Sequence, residues 1–200
     1  MLSKTANTSL SRSHNGHKMF FFCFSLVLSV AVIDCSASQS SENINSCSLF
    51  TQKDAERALG NTTDSGVDRN SMMPAGRSCR YTFKKNGNIY GIKIIIASDS
   101  LIKEEGLFES ASDNFQRQKQ ARKNHDYASK LLSQVPNLGD DAFWSGSKLW
   151  VLKGSTLLII DSDAYLEGTF KDRDEADKAR KKLDLRISLD AARVMINKLP

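Results

Sequence analysis

The chain has 200 residues, 40% of them hydrophobic and 26% charged, a balance that supports one packed core and leaves little room for a second. Its formal charge of +5 falls to +3 once residues 1–35 are set aside, because that segment holds Lys4, Arg12 and Lys18 but one acid, Asp34. So small an excess, with no basic stripe interleaved with aromatics, argues against nucleic acid as a partner.

The first elements are those of export. Three basic residues precede an apolar run at 19–33, and Asp34 and small polar residues follow it, the order of a secretory signal peptide. The run has 15 residues, short of the roughly 18 to 20 that a spanning helix needs. Two processing routes are open. Ser36, Ala37 and Ser38 suit an ordinary signal peptidase and define a leader over 1–37. Val32-Ile33-Asp34-Cys35 alternatively resembles a lipobox, which would acylate Cys35 and tether the protein to a membrane, although Asp34 stands where such motifs carry a small residue. Either route delivers the protein to the periplasm or the extracellular side, with 38–46 as a flexible linker and 47–200 as a single domain.

Within that domain a helix over 52–59 is specified locally. Thr51 is its N-cap, Asp54 the capping-box partner, Phe50 can staple onto Ala55, and Gly60 supplies a left-handed stop. Residues 61–78 are rich in Asn, Asp, Ser, Gly and Pro without a period and read as a loop, with Asn61-Thr62-Thr63 a glycosylation sequon for a eukaryotic host. Asn86-Gly87 then favours a two-residue type I′ turn, which pairs Lys85 with Asn88, Phe83 with Tyr90, Tyr81 with Ile92 and Cys79 with Ile94. That register puts Lys84, Thr82, Arg80, Gly91 and Lys93 on the opposite face, where Ile89 and Ile95 need a covering loop or helix.

Residues 100–134 suit a helix of several turns, broken near Gly106, with Leu107, Phe108, Phe115, Tyr127, Leu131 and Leu132 as its buried stripe. The basic stretch RQKQARKNHDYASK within it reads as a solvated face. The segment AFWSGSKLWVLKGSTLLIID reads as strands separated at Ser145-Gly146 and Lys153-Gly154. A charged helix over 172–182 and a final helix capped by Ser188 complete the chain. The fold class is therefore α+β: an antiparallel sheet of about five strands from two hairpin units, packed by helices.

Export decides how Cys47 and Cys79 are read. In an oxidising compartment a pair in the body of a domain forms a disulfide, with two buried free thiols as the alternative, and no C-x-x-C spacing suggests redox chemistry. Such a bridge would pin the entrance of the first helix to the sheet, stabilising by roughly 3 to 4 kcal/mol in the loop-entropy account.

Catalytic signatures are weak. His125 is the one histidine beyond the leader and lies in the solvated stretch. Ser145-Gly146-Ser147-Lys148 matches S-x-x-K but sits in a turn between strands, and Asp161-Ser162-Asp163 departs from a calcium loop at Tyr165 and Leu166. Asp140-Asp141 suits loop hydrogen bonding better than a cation. No metal, cofactor or catalytic residue is assigned.

Three motifs taken together carry a resemblance: Cys47-Ser-Leu-Phe-Thr51 with Ala58-Leu-Gly60, Ser78-Cys79-Arg-Tyr81, and Val135-Pro-Asn-Leu-Gly139-Asp-Asp-Ala142-Phe-Trp144 before a Leu-Trp-Val strand. They resemble a family of uncharacterised bacterial secreted proteins and lipoproteins of mycobacterial and other actinobacterial envelopes. The resemblance covers about residues 45–199, with Phe50 where Leu is common and a longer spacer at 167–187. It implies a Cys47–Cys79 disulfide, a curved antiparallel sheet packed by helices, and no catalytic residues to carry over. The functional expectation is a non-catalytic envelope module that binds a small molecule, a lipid or an envelope protein, with Trp144 and Trp150 as the binding surface unless they enter the core. A structural or accessory subunit ranks second and a hydrolase-type enzyme third.

Overall fold

The computed structural model describes residues 45–199; the leader over 1–37, Cys35 and linker residues 38–44 lie outside the described residues. Asn45 and Ser46, read as linker, belong to the fold. Asn45 caps a short helix α1 (Ser46–Leu49) by accepting from the Cys47 and Ser48 amides at 2.9 and 3.2 Å. The second helix, α2 (Gln52–Leu59), carries every feature its sequence specifies: Thr51 and Asp54 close a reciprocal capping box, Gly60 stops the helix at φ 67°, and Phe50 and Ala55 are fully buried in one cluster. The disulfide is formed, Cys47 bridging α1 to Cys79 with Cα atoms 5.1 Å apart.

Among the described residues the sheet has seven strands, two more than the sequence suggests. β1 (Val67–Met72) pairs with β2 (Ala75–Lys85), and β2 pairs with β3 (Asn88–Ser98) in the register that Asn86-Gly87 dictates, both turn residues having positive φ. The second unit comprises β4 (Ser133–Gln134), β5 (Asp141–Trp144), β6 (Lys148–Lys153) and β7 (Thr156–Asp163). The order is β1-β2-β3-β7-β6-β5-β4, antiparallel throughout, so the two units join where β3 meets β7. β1 falls inside the stretch read as a loop. Its sequence VDRNSM has no apolar alternation; one of its edges pairs with no strand among the described residues, and polar residues are tolerated and even favoured on such an edge. β4 is too short to show a period.

Between β3 and β4 the expected single helix is three: α3 (Asp99–Glu105) ending at Gly106, α4 (Ala111–Lys123) and α5 (Asp126–Leu131), the second break falling at Asn124-His125. Phe115 is buried as expected, but Leu107 and Tyr127 are exposed, since the breaks rotate them out of a common stripe. The opposite correction applies at the C-terminus. The two expected helices are one, α6 (Arg173–Ile196), capped by Asp172. Ser188 lies in its interior and shares a hydrogen bond with Ser162 of β7 at 3.0 Å. No Gly or Pro interrupts 173–196, and polar Asp184 and Ser188 on the buried face conceal the apolar period.

Each face of the sheet has its own core. Tyr81, Phe83, Ile92, Ile94, Leu149, Leu158 and Ile160 pack under α1, α2 and α6. Ile95, Phe143, Trp150, Leu157 and Ile159 pack with Ile102 of α3 and Phe115 of α4. Ile95 thus receives the cover its sequence position demands, and Ile89 does not. Tyr81 ties helices to sheet: its hydroxyl donates to the Phe50 carbonyl at 2.5 Å and lies 3.3 Å from the Cys47 carbonyl. Tyr81→Phe is expected to lower stability by about 1–2 kcal/mol, read as a lower urea midpoint at unchanged m-value.

Candidate functional site

The tryptophans do not form a surface. Trp144 and Trp150 are 5% and 6% exposed and belong to the cores on opposite faces of the sheet. Strand alternation explains the split, since Trp144 of β5 and Trp150 of β6 occupy successive register positions with opposite side-chain directions. Trp150 stacks on Phe143 with ring centroids 5.8 Å apart, and the Arg122 guanidinium covers Trp150 at 5.0 Å and Phe143 at 5.9 Å. Burial pulls the Arg122 pKa below the ordinary arginine value. Its Nη1 donates to the backbone and side-chain oxygens of Gln118 at 2.8 Å, which fixes the guanidinium as the lid of this aromatic pair.

The polar motifs are held by structural contacts. His125 is exposed and caps α5, its Nδ1 accepting from the Ala128 amide at 3.3 Å. The Ser145 hydroxyl closes a tight turn, donating to the Lys148 carbonyl and accepting from the Lys148 amide, each at 3.0 Å. Asp140 accepts from the Gly154 amide at 2.6 Å. Asp141 accepts from Lys119 Nζ at 2.8 Å and from Gln134 at 2.6 Å. Partial burial would raise the Asp141 pKa, but these donors hold it below the ordinary carboxylate range. Among the described residues no group of three or more His, Cys, Asp or Glu could hold a metal ion. The sequon is folded into the domain: Asn61 donates to the Leu59 carbonyl at 3.0 Å and Thr63 is buried.

The apolar surface that is exposed lies elsewhere. Met72 and Met73, at the turn between β1 and β2, are 82% and 81% exposed, and Val67 at the other end of β1 is 47% exposed. Glu105 accepts from the Ala75 amide at 3.1 Å and so fastens this turn to α3. Met72, Ser71 and Ala75 face Leu101, Glu104 and Glu105 across an open groove of about 300 Å³. The outer edge of β1 pairs with no strand among the described residues, whereas the opposite edge strand, β4, is two residues long. On the inner side β1 is anchored by the Arg77–Asp68 ion pair and by Ser46, whose hydroxyl lies 3.4 Å from Asp68.

The sequence contained one sign of this site. Two adjacent methionines before Pro74 stand in an otherwise polar stretch, with no period that would carry them into a core. Comparison with protein-family models, with curated proteins and with solved structures finds no match to this chain.

Proposed function

We propose that the chain is an exported, non-catalytic binding module of a cell envelope that holds a protein partner at the methionine tip and free edge of β1. The observation that carries this reading is the pair Met72 and Met73, more than four-fifths exposed beside a groove with an apolar wall at Leu101. Methionine is unbranched and polarisable, so it adapts to a partner surface at low steric cost. The adjoining β1 edge offers unpaired N–H and C=O groups to an added strand. Glu104 and Glu105 on the rim favour a partner with basic residues beside its apolar anchor. The basic-then-apolar N-terminal pattern, the Cys47–Cys79 bridge and the motif resemblance to bacterial envelope proteins support the location.

Affinity capture from the native envelope with the full chain tests the reading. The parent recovers a stoichiometric partner, and the double variant Met72→Glu/Met73→Glu weakens that complex by about tenfold or more while keeping the parent's unfolding midpoint. Equal recovery by both proteins would remove the tip from the interface. A small-molecule mass retained on the parent in native mass spectrometry, without a protein partner, would replace this reading with ligand binding.

A further inference from the structure

The face of the sheet that α3 and α4 cover is only half closed. Its covered row runs Ile95, Ile159, Trp150 and Phe143 across β3, β7, β6 and β5. The next row in register is Val67, Arg80, Lys93, Asp161 and Lys148, in which Val67 and Arg80 are exposed and the other three half-exposed. Beyond it, on the same face, stand Lys84 and the 54% exposed Ile89, directly opposite each other. Arg69 extends the face along β1.

The charges on this half are unbalanced. Its acids are Asp161, which pairs with Lys148 at 3.1 Å; Asp163, 3.9 Å from Arg180 of α6; and Asp64, which accepts from the Thr82 hydroxyl at 3.1 Å. Arg69, Arg80, Lys84 and Lys93 enter no ion pair among the described residues. Arg80 and Lys93 are register partners, a like-charge pair that disfavours the folded strand pairing. Lys93 also faces Asp161 across β7, but Asp161 is shared with Lys148, so the open row carries more positive than negative charge and suits an external anion. The aliphatic Val67 and Ile89 flank the same cations. A soluble polyanion would use the charges and leave both aliphatics in water, whereas a bilayer surface takes the cations at its headgroups and the aliphatics at the acyl boundary.

We propose that this uncovered half of the sheet docks on an anionic lipid bilayer. The surface uses residues distinct from Met72 and Met73, so it stands or falls apart from the partner reading. Each lysine or arginine brought to such a membrane strengthens binding about fivefold.

Sedimentation of the full chain with vesicles tests this, using phosphatidylcholine alone and a mixture of one part phosphatidylglycerol to two parts phosphatidylcholine, at about 0.1 M salt. Comparing variants with the parent in the same full chain cancels any contribution from the apolar run at 19–33. The parent prefers the mixed vesicles, and Arg80→Glu/Lys93→Glu reduces that binding by at least about tenfold. Lys84→Glu, at an exposed position beside the turn, carries the same test at about fivefold or more should the double variant not fold. Ile89→Ser weakens vesicle binding several-fold and leaves binding to dextran sulfate unchanged. Charge-reversal variants that bind the mixed vesicles like the parent would overturn the proposal. So would dextran sulfate binding as tight as that of vesicles with no effect of Ile89→Ser, which would make the ligand a soluble polyanion.

Discussion

Replacing Cys47 and Cys79 together by serine is expected to lower the free energy of unfolding by about 3–4 kcal/mol. The bridge spans a sequence separation of 32, and releasing a loop of that size restores the corresponding freedom to the unfolded chain. In the folded state other contacts also hold this segment, with Ser46 and Phe50 buried and Leu49 packed on the core. α1 retains the Tyr81 hydroxyl bond at the Phe50 carbonyl, a 2.8 Å bond from Lys198 Nζ to the Leu49 carbonyl, and the contact of Ser46 with Asp68. Urea unfolding followed by tryptophan fluorescence checks the value, and reduction of the parent should reproduce most of the same loss. A midpoint that does not move in either experiment would mean that α1 is held by packing alone.

The second large effect is one of pH. Asp184, on the buried face of α6, accepts from the Ala164 amide at 2.9 Å, while its own carbonyl accepts from the Ser162 hydroxyl at 2.9 Å. Burial pushes its carboxyl up to about 6, against the pull of the Ala164 amide and of Arg180 and with the added repulsion of Asp163 and Asp161. The folded state therefore binds this proton more tightly than the unfolded chain does. Stability from this group is greatest below the unfolded value near pH 4, declines as pH rises to about 6, and stays lower above it. The full gap corresponds to about 3 kcal/mol, and water reaching the rim beside Asp161 and Asp163 reduces the expected value to about 1–2 kcal/mol. Asp184→Asn keeps an acceptor for Ala164 and removes the charge, so it should stabilise the protein by that amount at pH 7 and by little at pH 4. Thermal unfolding of parent and variant across this range isolates the group from Asp54, Asp113 and Asp141, whose lowered pKa values impose the opposite slope. Parallel profiles for the two proteins would refute the assignment.

What could be read from the residues alone follows from where local chemistry is decisive. The β2–β3 register was legible because Asn86-Gly87 admits one turn geometry, and α2 because its caps, staple and stop agree. β1 was not, since an edge strand of polar residues has neither period nor propensity to announce it. α6 split in the reading because Asp184 and Ser188 occupy inward positions that apolar residues normally fill. Surface or core stays open for the tryptophans in the sequence for a related reason. β6 and β7 are buried on both faces, so alternation shows which residues share a face but not that each face will be covered. The methionine tip and the half-open basic face depend on which surfaces the helices leave bare, a property of the whole assembly.

The junction of β3 with β7 bears on the order in which the chain can assemble. Both sulfurs of the bridge and the β2–β3 hairpin precede residue 99, so in a chain made from its N-terminus that hairpin can form while α4, β6 and β7 are still unmade. Until β7 arrives, β3 presents a bare, isoleucine-rich margin from Gly91 to Ser98, the stretch that β7 later zips shut. That interval is when the nascent protein is most exposed to pairing with a neighbour, and anything that delays synthesis between β3 and β7 lengthens it.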